Sequence, residues 1–133
     1  MSRSQTLLLL TALCPFVVLA EPTYLDCQLS KGANEKSKFS LKLDEASGKV
    51  THTSYDGSAF NADGFFAANT ISYQQIIVEN GIKLTKRYEI DRTTLKFNSV
   101  WVLEPVDPGI AWDKKPTTLE GNCSVVKVSG RKI

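Results

Sequence analysis

Apolar and polar residues alternate along most of this chain in short runs, and turn-forming residues end each run after about ten residues. A period of two buries one face of a strand but cannot line one face of a helix. Leu25, Cys27 and Leu29 share a face ahead of a turn at Lys31-Gly32-Ala33-Asn34. Phe39, Leu41 and Leu43 alternate with Ser40, Lys42 and Asp44, and Glu45-Ala46-Ser47-Gly48 turns the chain back into residues 49–54. Tyr55-Asp56-Gly57-Ser58 and Asn61-Ala62-Asp63-Gly64 read as two further turns, with Phe60, Phe65 and Phe66 as core bulk around them.

The second half continues the pattern. In residues 70–79, Ile71 and Tyr73 have one parity, whereas Ile76 and Val78 have the other. That switch at Gln74-Gln75 predicts a bulge or a strand covered on both faces. Asn80-Gly81 between apolar runs predicts a two-residue type I′ hairpin, because both residues accept positive φ. In residues 82–91, Lys86 shares the inward parity of Ile82, Leu84, Tyr88 and Ile90, a position that suits a barrel mouth, a bulge or a protected edge. Leu95, Phe97, Trp101 and Leu103 share a face, and Leu119, Gly121, Cys123 and Val125 align in the last strand. The pattern predicts an all-β fold of about eight antiparallel strands in a small barrel or sandwich.

The first 20 residues stand apart. A short basic start containing Arg3 precedes an apolar run, and Val18-Leu19-Ala20 supplies small residues before Glu21-Pro22. This is the layout of a secretory signal peptide cleaved after Ala20, and the run is too short to favour a spanning helix. Residues 21–133 then form a single β domain, periplasmic or secreted, with no integral membrane association after cleavage. Cys14 lies within the leader, where Leu13 stands in place of the small residue that a lipidated cysteine prefers. Cleavage leaves Cys27 and Cys123, which in an exported domain are expected to form one disulfide linking the first strand to the last.

Charge excludes one class of partner. Of 16 Lys and Arg only Arg3 is in the leader, which leaves 15 against 14 Asp and Glu. So even a balance gives no electrostatic footprint for nucleic acid. His52 is the only histidine, no Gly-x-Ser-x-Gly elbow surrounds any serine, and no spacing selects two carboxylates. His52, within Thr51-His52-Thr53, is expected to be a half-exposed strand residue bonded to a neighbour. One histidine and two distant thiols give no metal-ligand spacing. Asn61-x-Asp63-Gly64 matches only part of a calcium loop, since Ala59 and Thr70 occupy the first and last ligand positions. No catalytic residue, metal or cofactor is expected.

Function is therefore expected in the loops. Residues 104–116 form a long Pro-containing segment in which Ile110 and Trp112 lie beside Lys114 and Lys115. Trp112 can anchor a protein partner or fold over a barrel end as a plug, while Trp101 is expected in the core. Tyr55 and Asp56, in loop 55–64, form a second candidate contact. The leading expectation is a non-enzymatic module that uses loops 55–64 and 104–116 to bind an exported or envelope protein. Alternatives are a carrier of a small apolar ligand inside a barrel, and a small hydrolase.

The layout resembles the periplasmic lysozyme-inhibitor family, small exported barrels with one disulfide. The resemblance implies a Ser/Gly-rich loop that enters an enzyme's cleft. Gly57-Ser58-Ala59 is the one comparable stretch, and the Trp- and Lys-bearing segment of that family has no counterpart, so the resemblance covers layout alone.

Overall fold

The computed structural model describes residues 21–30 and 37–126. The predicted signal peptide with Cys14, the turn at 31–34 and the tail 129–133 lie outside the described residues.

Nine strands form among the described residues: β1 Thr23–Leu29, β2 Lys38–Asp44, β3 Lys49–Ser54, β4 Ala59–Asp63, β5 Phe65–Phe66, β6 Thr70–Glu79, β7 Ile82–Asp91, β8 Lys96–Pro105 and β9 Thr117–Val125. They build one antiparallel sheet in the order β4-β3-β2-β1-β9-β8-β7-β6-β5. The two edge strands, β4 and β5, are separated in sequence only by Gly64. One bent stretch of chain thus carries the sheet from one edge to the other, and the result is a nearly closed barrel. Taking β4 and β5 as a single bent strand gives the expected eight. The bend needs glycine, because a Cβ on Gly64 would meet Phe66 Cε1 at 2.7 Å and Val50 Cγ2 at 2.8 Å.

Register places the alternating apolar residues inside. Leu25, Leu41, Val50, Ile90 and Phe97 are almost fully buried, each contributing about 2 kcal/mol from the apolar area removed from water. Cys27 and Cys123 face each other directly across β1 and β9, with Cα atoms 3.9 Å apart, and are joined by a disulfide. The first and last strands are linked as expected. Asn80 (φ 49°) and Gly81 (φ 77°) both adopt positive φ in the two-residue β6–β7 turn, also as expected.

Five expectations require correction. Asn61, Ala62 and Asp63 belong to β4 rather than to a turn, because they pair across β3, where Thr51 Oγ1 donates to Asn61 Oδ1 at 2.6 Å and Lys49 pairs with Asp63. β6 has no bulge: its register with β7 runs unbroken from Thr70↔Asp91 to Glu79↔Ile82, so Ile76 and Val78 simply face outward, 49% and 59% exposed. Phe65 is 72% exposed, since the short β5 turns it away from the core that holds Phe66. Leu95 precedes β8 in left-handed conformation (φ 62°), closing a turn in which its N–H donates to Asp91 O. β8 extends to Pro105, so the exposed loop begins at Val106. Val125 keeps its expected alignment, opposite Leu25, although it is 56% exposed at the open end of β9.

Candidate functional site

At one end the inward side chains do not fill the barrel. A cavity of about 260 Å³ opens there, walled by Phe60, His52, Tyr88 and Trp101, with Lys86 and Ser99 among its polar groups. The β3–β4 turn brings Tyr55 and Asp56 to the same opening. Each strand reaches the cavity by the alternation that buries its lower half. The row Tyr73–Tyr88–Ser99–Leu119 crosses β6, β7, β8 and β9, and the next row up is Gln75–Lys86–Trp101–Thr117. Lys86 is therefore at a barrel mouth, one of the three positions its parity allows.

The floor is an aromatic stack around a histidine. The His52 ring lies between Phe39 (centroids 4.5 Å apart, interplanar angle 7°) and Phe60 (4.9 Å, 18°). Its Nδ1 is 2.9 Å from the Tyr73 hydroxyl, and Tyr73 stacks on Tyr88 at 4.7 Å. His52 is thus buried rather than half-exposed, although it is bonded to a neighbour as expected. Burial, assisted by the positive charge of Lys86, lowers its pKa from 6.5 to about 4, so the ring is neutral at neutral pH. Burial likewise raises Tyr73 well above 10.0, where it remains a neutral hydroxyl.

Higher in the wall the polar groups pair with one another. Trp101 Nε1 donates to Ser99 Oγ at 2.7 Å, and Ser99 also bonds the Tyr88 hydroxyl, whose pKa burial pushes up to about 12. Trp101 is half-buried and lines the cavity instead of lying in the core, because β9 begins only at its partner Thr117 and leaves the indole open above. Lys86 Nζ lies 4.3 Å from the Trp101 ring centroid, a cation–π contact, and burial lowers its pKa. None of the three ion pairs among the described residues includes Lys86. Asp56, the carboxylate at the opening, accepts from Ser58 N (3.0 Å) and Ser58 Oγ (2.7 Å) within its own turn.

The remaining sequence candidates lie elsewhere. Ile110, Trp112, Lys114 and Lys115 are in the exposed loop after β8, with Ile110 52% and Trp112 40% exposed. None of the four lines the mouth cavity, so Trp112 is not a plug in it. The loop is anchored where Val106 N donates to Gly81 O. A wider depression of about 700 Å³ crosses the outer face of β1, β2 and β9, and its lining mixes polar residues such as Gln28, Ser40 and Asn122 with Leu29, Phe39 and Tyr55. Among the described residues no group of three His, Cys, Asp or Glu could hold a metal ion. Tyr55 and Asp56 thus join His52, Lys86, Ser99 and Trp101 at one site. Inward parity was the available signal for the last four, and only Lys86, polar on an apolar face, stood out.

Comparisons with protein-family models, curated proteins and solved structures each find no match.

Proposed function

We propose that this chain is an exported binding protein that holds a small amphipathic molecule in the mouth of its barrel. One observation carries the reading: a 260 Å³ cavity walled by aromatic rings, with a few convergent polar groups and an inward lysine, Lys86, that belongs to none of the ion pairs among the described residues. Binding sites for small molecules have this make-up, apolar walls for affinity and sparse polar groups for orientation. Export is supported by the apolar leader and by the disulfide, which favours an oxidising compartment. Native mass spectrometry of protein purified from its host tests the reading. The expected result is an added mass that leaves on denaturation. A bare mass, together with an unchanged Trp101 emission across a panel of amphipathic compounds, overturns it.

A second reading has its own support. Val106, Ile110 and Trp112 expose apolar surface along one loop, as a protein-binding segment would. Trp112→Ala should then abolish capture of an envelope protein while leaving Tm within a few degrees. Retained capture removes this reading.

A further inference from the structure

Resting on the cavity reading, we infer that the ligand is a monocarboxylate of about ten non-hydrogen atoms, its anion held by Lys86 and its apolar body lying against Trp101 and Phe60. Size comes first. A volume of about 260 Å³ corresponds to roughly nine waters at about 30 Å³ each, which suits a body no larger than one aromatic ring with a short acid arm, or a chain of similar length.

Charge comes next. Lys86 is half-buried, and desolvation already works against its ammonium form. The face of Trp101 offsets only part of that cost. The charged and titratable groups facing it from the neighbouring elements are His52 of β3, Tyr88 of β7, Asp56 and Tyr55 of the β3–β4 turn, and Lys38 of β2. His52 and Tyr88 are neutral at pH 7, and the opposite charges of Lys38 and Asp56 at the opening offset each other, which leaves the charge of Lys86. The mouth therefore lacks one negative charge. A single inward cation suits a monoanion better than a phosphate dianion. Gln75, the cross-strand partner of Lys86, adds an amide to the same cavity wall. Two donors match the two oxygens of a carboxylate.

The test uses Trp112→Phe protein, in which Trp101 is the remaining indole and reports from inside the cavity. Its fluorescence is titrated at pH 7 with phenylacetate, phenylacetamide and phenethylamine, which share a ring and differ in charge. Phenylacetate should bind at least about tenfold more tightly than the amide, and the amine should bind weakest. Lys86→Met should remove that preference, and Lys86→Arg should keep most of it. Affinity for phenylacetate should also fall at alkaline pH, below the ordinary lysine value of 10.5, as Lys86 loses its proton. If acid and amide bind equally, the carboxylate inference is overturned and the cavity reading survives. If none of the three binds and the native mass is bare, both fail. The comparison within the unmutated site decides the matter even where Lys86→Met does not fold.

Discussion

His52 shows how a side chain without catalytic company can govern the pH response of a fold. Its ring stays neutral in the folded barrel down to about pH 4, whereas in the unfolded chain it takes up a proton near the ordinary 6.5. Between those values the unfolded state binds more protons, so stability is complete above pH 6.5 and declines as pH falls toward 4. The full decline amounts to about 3 kcal/mol. Asp56, Asp63 and Asp91 have pKa values held below the ordinary 3.8 by hydrogen bonds or by Lys49, and so act mainly at lower pH. Urea unfolding at pH 7, 6 and 5 should show falling stability, and His52→Gln should flatten that slope. The same substitution should lower stability at pH 7 by about 1–3 kcal/mol if it leaves the Tyr73 hydroxyl without its buried partner. Sequence alone hides this role. Thr-His-Thr reads as a half-exposed strand, and the stack forms only because β2 and β4 flank β3 in a register that brings Phe39 and Phe60 to either side of the ring.

Where strands cross closely, one glycine sets the packing. A Cβ on Gly121 of β9 would lie 2.2 Å from Gln28 O of β1 and 2.3 Å from Phe97 Cε1 of β8. Gly121→Ala should therefore destabilise the barrel by about 3 kcal/mol, seen as a lower Tm, and trimming Phe97 should not restore it because the backbone of β1 is also in the way. In the β6–β7 hairpin, Gly81→Ala forces an alanine to φ 77° with open space around it, so a smaller loss of about 1 kcal/mol is expected from backbone strain alone. Turns of this kind, and the strands between them, are legible in the residues because local chemistry decides them. Asn61-Ala62-Asp63 misleads because its turn preference is local, whereas its strand state depends on Thr51 and Lys49 across the ladder. Lys86 signals the mouth through parity, yet Ser99 and Trp101 become a site only once the strands are in register.

Closure of the barrel depends on two junctions of different kinds, a covalent one between β1 and β9 and a continuous bend through Gly64. The disulfide spans a sequence separation of 96, so opening it frees a long loop in the unfolded chain and should cost roughly 4–5 kcal/mol by chain entropy. Equilibrium unfolding of oxidised protein against Cys27→Ser/Cys123→Ser protein measures this, and alkylation should label both thiols only after reduction. A difference below about 1 kcal/mol would mean that β1–β9 pairing and packing already hold the junction. Because Leu25 pairs with Val125, the outer ends of the first and last strands lie side by side. A circular permutant that joins those ends by a short linker and opens the chain at the Asn80-Gly81 tip would keep every strand neighbour. In such a rewired chain the sulfur bridge would span a far shorter stretch of backbone and lose much of its entropic leverage.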